Sequence, residues 1–337
     1  MAQYTDFIPQ NVAPLGAKSI GVYRGGVEVY EIPIGNLAMT NTGSFLFRFL
    51  AIADIHLPYE TAKDDYRRAL QYANADTKIA FTIIAGDLTK DGTAEELSEY
   101  ATETQTYSPS KPVRAIPGNH DTRNYIPANG NISTYTGDPL YYSFEYGGVV
   151  FLMVGIKGEG EGILFTKAEL QWLYEQLEAN RNKRCVVVTH VRPQDGCGNA
   201  LGIYTFDIWG GTEATVFESL MRHYPNVVLM HGHSHIKFYM QTFEDDANID
   251  KAFGCWSVHI PSLAAPRDTN GAVNPGYVNV YAESEGYVVD VYENGIHLRG
   301  RDFVKGEFLP IASYWLDTTL QTIPAKTYVD STGTITT

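Results

Sequence analysis

At 337 residues, 44% of them apolar, the chain is long enough for one large domain or two modest ones with a sizeable core. Its 39 acidic against 25 basic residues give a formal charge of −14, which argues against a nucleic-acid track or an anionic membrane surface as main partner and leaves an anionic substrate in need of local positive charge such as bound metal. Cys185, Cys197 and Cys255 are odd in number, far apart and without CxxC spacing, so neither a disulfide framework nor a thiolate zinc site is expected.

Residues 1–43 carry Gly, Pro and Asn punctuation around one alternating piece, Val27 to Ile32, which predicts a small β extension. The start, Met1 to Asp6, has neither a basic nor an apolar leader pattern, and no later run approaches membrane-spanning length. A cytoplasmic protein is the default, although a secreted chain with its signal removed would look the same. Phe45 to Ala53, broken only by Arg48, predicts a core strand covered on both faces, and it runs straight into Asp54-Ile55-His56. Tyr66, Ala69, Leu70 and Ala73 space a helix over Ala62 to Ala75. Ile79 to Ala85 is the next buried strand, ending at Gly86-Asp87. Glu95 to about Thr106 reads as a helix. Val113 to Ile116 is a strand stopped by Pro117-Gly118, and it delivers Asn119-His120-Asp121 to a tight turn.

Val149 to Ile156 predicts a strand ending in a Gly-rich loop, Gly158 to Gly162. Thr166 with Glu169 forms a capping box ahead of Leu170, Leu173 and Leu177 on one helical stripe. Cys185 to Thr189 ends at His190, a helix over about Thr212 to Tyr224 stops at Pro225, and Val227 to Met230 ends at His231-Gly232-His233-Ser234-His235. Strands alternating with helices predict a layered α/β domain. Beyond Lys237 only strands are expected: Ser257 to Ile260, Tyr277 to Ala282, and a hairpin of Tyr287 to Tyr292 with Ile296 to Arg299 around Asn294-Gly295, extending a second sheet. The main domain is thus expected over residues 44–305, with 306–337 as a tail or wrapped arm.

Polar groups collect where these strands end: Asp54, His56, Asp87, Asn119, His120, Asp121, His190, His233 and His235. Any one of them alone is an ordinary turn or core residue. Their joint placement is informative because α/β sheets bring such strand ends to one edge. Imidazole and carboxylate ligands without thiolate suit Mn, Fe or Zn. Seven candidate ligands, the set without His120 and Asp121, are too many for one ion and suit two ions sharing a carboxylate. That arrangement clamps the attacking and leaving oxygens at phosphorus, with metals about 3.5 to 4 Å apart.

Asp54-Ile55-His56, Gly86-Asp87, Gly118-Asn119-His120-Asp121, His190 and Gly232-His233-Ser234-His235, in that order, resemble the five motifs of the calcineurin-like metallophosphoesterase family. The resemblance implies a four-layer αββα sandwich of two mixed sheets flanked by helices, with a dinuclear centre of divalent or mixed-valent transition-metal ions. It gives Asp54, His56 and His235 to one ion, Asn119, His190 and His233 to the other, and Asp87 to both. A hydroxide held between the ions would attack phosphorus in line, with His120 as proton donor to the leaving oxygen and Asp121 fixing the His120 tautomer.

Lys90 stands where purple acid phosphatases carry a tyrosine ligand. Pro117 and Asp121 depart from the Ser/Thr phosphatase pattern, which has Arg before its GNHE motif. Gly86 to Gly92 followed by Glu95-Glu96 is similar to the branch of class III cyclic-nucleotide phosphodiesterases and glycerophosphodiesterases, which implies small phosphodiesters or phosphomonoesters as substrates, without nucleic acid or membrane as partner. Arg123, Asn124 and Arg192 are candidate substrate-binding residues, a guanidinium suiting a second phosphate oxygen. Tyr204, Phe206 and Trp209 could stack on a base or close a lid. His231 is expected as a strand residue, and His223, His259 and His297 as ordinary core or surface residues. The alternative is a silent binding or scaffold protein on the same fold.

Overall fold

The structure, a computed structural model, describes residues 19–24, 27–33, 42–59, 61–122, 129–156, 165–192, 197–198, 212–238, 248–251, 254–269, 277–321, 328–329 and 335–336. Strands β1 (Ser19–Arg24) and β2 (Val27–Pro33) form a two-stranded antiparallel hairpin. Then follow β3 (Phe45–Ile52), α1 (Ala62–Ala75), β4 (Ile79–Ala85), α2 (Ala94–Tyr107), β5 (Val113–Ile116), α3 (Asn129–Thr136), β6 (Tyr141–Tyr146) and β7 (Val149–Val154). Helix α4 (Lys167–Ala179), β8 (Arg184–Val188), α5 (Thr212–His223), β9 (Val227–His231), β10 (Ile249–Asp250) and β11 (Trp256–His259) come next. The chain continues with β12 (Arg267–Thr269), β13 (Tyr277–Asn279), β14 (Glu285–Tyr292), β15 (Gly295–Asp302), β16 (Glu307–Asp317), β17 (Tyr328–Val329) and β18 (Ile335–Thr336).

Two six-stranded mixed sheets carry the fold, ordered β16-β15-β14-β3-β4-β5 and β10-β11-β9-β8-β7-β6. Strand β3 explains the layering. Its Phe47, Phe49 and Ala51 turn to a core between the sheets, shared with Phe81, Phe151, Met153, Val186 and Met230. Leu50 and Ile52, on the opposite face, join Tyr66, Ala69, Leu70 and Tyr100 of α1 and α2. The second sheet repeats the scheme, with Val150, Leu152 and Val187 packed against Leu173, Leu177 and Phe217 of α4 and α5. A strand buried on both faces has to be apolar at every position. The result is the expected sandwich of two mixed sheets between helical layers. No described helix is long and apolar enough to cross a membrane.

Aromatic rings knit the inner core. Phe151 lies 5.4 Å from Phe49, 5.2 Å from Phe81 and 4.8 Å from Phe144, centroid to centroid. Phe151→Ala is therefore expected to cost about 3–5 kcal/mol of unfolding free energy, read from denaturant midpoints. A loss below about 1 kcal/mol, the size of a surface change, would show that the sheets do not meet through this ring. The charge in β3 has its own explanation. Arg48 sits opposite Asp290 in β14 and hydrogen-bonds both Asp290 and Asp76.

Several elements differ from expectation. Glu307–Asp317, which the sequence assigns to the start of a tail, is the edge strand β16, paired with β15 and burying Ala312 and Leu316 in the inner core. Pro310 disguises it, yet an edge strand tolerates proline because one row of its N–H groups has no ladder partner. Strand β13 stops at Asn279 and pairs with β12 in a separate ribbon. Strand β6, which the sequence reading lacks, folds back on β7 through Gly147 and Gly148, both at positive φ. The capping box at Thr166 and Glu169 is present, and Thr93 with Glu96 forms a second one at the start of α2.

Candidate metal centre

Strands β3, β4 and β5 run parallel in one sheet, and β8 and β9 run parallel in the other. Their C-terminal ends bring together Asp54, His56, Asp87, Asn119, His190, His233 and His235. The loop after β3 continues beside the loop after β4, because the N–H groups of Asp54, Ile55 and His56 donate to the carbonyls of Gly86 and Asp87 at 2.8–3.1 Å. Among the described residues, five non-glycine residues have positive φ: Asp54 (54°), His56 (53°), Asp87 (52°), His233 (76°) and His235 (62°). All five belong to this cluster. Left-handed backbone is uncommon outside glycine, although Asp and His adopt it more readily than most, and five such residues in one cluster persist where surrounding structure over-determines them, as at functional sites.

Two sets of donor atoms result. Asp54, His56, Asp87 and His235 offer atoms within 4.8 Å of one another, as do Asp87, His190 and His233, and Asp87 is common to both. In the first set His56 Nε2 and His235 Nε2 stand 2.9 Å apart, and His235 Nε2 is 3.2 Å from Asp54 Oδ1. In the second set His190 Nε2 lies 3.2 Å from Asp87 Oδ2, 3.0 Å from Asn119 Oδ1 and 3.3 Å from His233 Nδ1. His190 Nδ1 faces the Ala85 carbonyl at 2.8 Å, which assigns the ring proton to Nδ1 and turns the Nε2 lone pair to the cluster. The Nε2 lone pair, the carboxylate and the amide oxygen are all acceptors. Acceptors converge stably only on a cation or a proton, so the residues present fit divalent metal ions.

Asp87 divides its two oxygens. Oδ1 accepts the His120 N–H at 2.9 Å, while Oδ2 lies 3.5 Å from His56 Nε2 and 3.2 Å from His190 Nε2, between the two sets. Space for this carboxylate is made by Gly118, where a Cβ would overlap Asp87 Oδ1 and the Asp87 backbone nitrogen. Because one of the colliding atoms is backbone, no rotamer relieves the overlap. Gly118→Ala is expected to lose bound metal and activity together while remaining folded. Metal analysis of the purified variant checks this, and a normally loaded, active Gly118→Ala would contradict it.

The electrostatics point the same way. Burial works to raise the Asp54 and Asp87 carboxyls, but the neighbouring imidazoles, His235 for Asp54 and His190 for Asp87, hold both well below the usual carboxylate range. Burial likewise works against protonation of His190, yet Asp87 and Asp54 carry it up to about 9, so without an ion a proton sits on Nε2 among these acceptors, in the place a cation would take. Burial, then the His190 charge, pushes His233 down to about 3. Two interior carboxylates held anionic in this way demand positive charge.

His120 stands at the rim, less buried than His56 or His190, with Nε2 4.0 Å from Asp87 Oδ2. Its Nδ1 faces the Lys90 carbonyl at 2.7 Å. This corrects the expectation for Asp121. The Asp121 carboxylate turns away from the ring and accepts from Leu88 N, Thr89 N, Thr89 Oγ1 and Gly118 N at 2.7–3.0 Å. Asp121 thus ties the β4 and β5 loops together, and the backbone of Lys90 orients His120. Burial, and then the Asp87 charge, raise the Asp121 carboxyl to about 7.

Arg192 is buried, and its charge bears on His231 and His259. Arg123, Asn124, Tyr125, the aromatics Tyr204, Phe206 and Trp209, and the Gly158–Gly162 loop lie outside the described residues. Behind the donor sets is a layer absent from the expected site. His231 Nε2 approaches Cys197 Sγ at 3.5 Å and Ser257 Oγ at 3.3 Å, and His259 bridges Ser234 and Asn248. Cys185, Cys197 and Cys255 are free thiols.

The calcineurin-like phosphoesterase family model matches residues 47–237. No curated protein matches the sequence. Among solved structures, purple acid phosphatase PPD1 from yellow lupin (Lupinus luteus) seeds aligns with a TM-score of 0.55 at 14% identity, over 82% of this chain and 54% of that one. GAP50, the anchor in the inner membrane complex of Plasmodium, aligns with a TM-score of 0.50 at 13% identity, over 84% of this chain and 91% of that one. The chain spans about half the length of the lupin protein, and both likenesses are of fold.

Proposed function

The chain belongs to the calcineurin-like phosphoesterase family, and from that membership we propose that it is a hydrolase of small phosphodiesters or phosphomonoesters working with two metal ions that share Asp87. The observation that carries this reading is the position of Asp87 Oδ2 between His56 Nε2 and His190 Nε2. Asp54, His56 and His235 would hold one ion, and Asn119, His190 and His233 the other. Ions bound there supply Lewis-acid charge for phosphoryl oxygens and ionise water near neutral pH; Mn, Fe and Zn all suit the donors.

The chain itself contributes orientation and a proton. His120, anchored through Nδ1 on the Lys90 carbonyl and partly exposed, has Nε2 4.0 Å from Asp87 Oδ2 and would serve there as proton donor to the leaving oxygen. The unbroken donor set favours an enzyme over a silent scaffold. Lys90 at the position of the purple acid phosphatase tyrosine ligand argues against an iron–tyrosinate site, and the Gly86 to Gly92 segment followed by Glu95-Glu96 favours small phosphodiesters or monoesters of similar size.

Purified protein supplied with Mn²⁺ is expected to hydrolyse bis(p-nitrophenyl) phosphate or p-nitrophenyl phosphate, followed as p-nitrophenolate release. Absence of turnover on both esters with each of Mn, Fe, Zn and Co would overturn the reading, and tight metal binding without turnover would favour the scaffold.

A further inference from the structure

Ser234 stands between His233 and His235, whose φ angles of 76° and 62° place both in the left-handed region. A loop with two such residues needs external anchors to keep one geometry. Backbone bonds supply ordinary anchors: the Gly232 N–H donates to the His190 carbonyl at 2.9 Å, the Arg267 N–H to the His235 carbonyl at 2.7 Å, and the His233 N–H to Asp54 Oδ2 at 3.0 Å. A further anchor is a relay of side chains. Ser234 Oγ lies 2.8 Å from His259 Nε2, and His259 Nδ1 lies 2.9 Å from Asn248 Oδ1.

Direction along this relay is fixed by chemistry. An amide oxygen only accepts, so Asn248 assigns the ring hydrogen to His259 Nδ1, and the Nε2 lone pair accepts the Ser234 hydroxyl. The His259 N–H also donates to the Asn248 carbonyl at 2.8 Å, which locks the two residues as a unit. Ser234 and His259 are fully buried and Asn248 nearly so, which keeps water from competing for these bonds. His259 lies on β11 opposite His231 of β9 and outside both donor sets.

We propose that His259 is a positioning residue for the metal centre: through Ser234 it holds the loop that carries one donor to each of the two ions, His235 to the first and His233 to the second. The proposal rests on the two-ion reading of the site. It differs from a generic stabilising role in one respect. Because one loop serves both ions, loosening it weakens both together, even in a protein that stays folded.

Titration of metal-free protein with Mn²⁺ alone, with bound metal measured by equilibrium dialysis and folding by thermal midpoint, tests it. Wild-type protein that binds no Mn²⁺ defeats the two-ion reading itself. Wild type binding two ions, with Ser234→Ala binding both about 10–100-fold more weakly at a metal-free midpoint close to wild type, is the expected result. His259→Gln places an amide oxygen near the former Nε2 and should keep most of the affinity that His259→Ala loses. Unchanged affinity in Ser234→Ala, or equal losses in His259→Gln and His259→Ala, overturns the proposal. If Ser234→Ala does not fold, Asn248→Ala, which leaves the serine in place, decides by the same titration.

Discussion

Asp87→Ala is expected to lose both ions and to reduce phosphoester hydrolysis to the uncatalysed background. Oδ2 of this carboxylate is the atom nearest to both sets, 3.5 Å from His56 Nε2 and 3.2 Å from His190 Nε2. Removing it leaves the first set with one carboxylate and the second with none. The imidazoles would then face one another with less negative charge to offset a dication, so affinity falls at both positions. Asp87→Asn separates charge from shape. It keeps an oxygen for the His120 N–H that Oδ1 now accepts, so it is expected to stay folded while still losing most of its metal. Metal content by elemental analysis, beside turnover of the same sample, reads both effects. Full occupancy with activity intact in Asp87→Ala would remove the basis for a shared ligand.

His120→Ala should behave differently, retaining its metal and losing rate. The ring contributes no donor atom to either set, so metal content should match wild type. The loss should depend on the leaving group. For an alkyl phosphodiester, whose alkoxide departs poorly without a proton, kcat is expected to fall about 10²–10⁴-fold. For a p-nitrophenyl ester the leaving phenolate is stable and the loss should be much smaller. Comparing the two substrates in wild type and variant, with metal content controlled, gives the answer. Equal losses on both esters would argue that His120 holds substrate or Asp87 and does not deliver a proton.

Much of this is legible in the sequence, for a physical reason. Strands β3, β4, β8 and β9 are largely buried on both faces, so each reads as a mainly apolar run, interrupted by Arg48 in β3 and Thr82 in β4, with an abrupt polar end. That abruptness marks Asp54, Asp87, His190 and His233 in the sequence itself. What the sequence hides depends on backbone direction and on distant partners. Nothing in the letters Asp or His announces a positive φ, although the glycines at 86, 118 and 232 hint at crowding: a Cβ at Gly232 would come within 2.6 Å of Asp54 Oδ2.

Asp121 misleads because adjacency suggests a pair with His120, whereas the turn sends consecutive side chains apart and Asp121 bonds the loop 32 residues earlier in the chain. His259 looks ordinary because its partners Ser234 and Asn248 are 25 and 11 residues away. Strand β16 is obscured by Pro310, a residue that normally argues against a strand and is harmless on this edge.

Whether two cations share Asp87 is read directly by anomalous diffraction from crystals of the protein loaded with Mn²⁺. Two peaks about 3.5–4 Å apart are expected, one beside Asp54, His56 and His235, the other beside Asn119, His190 and His233, with Asp87 Oδ2 between them. A single peak, or a pair remote from Asp87, would rule out a shared carboxylate.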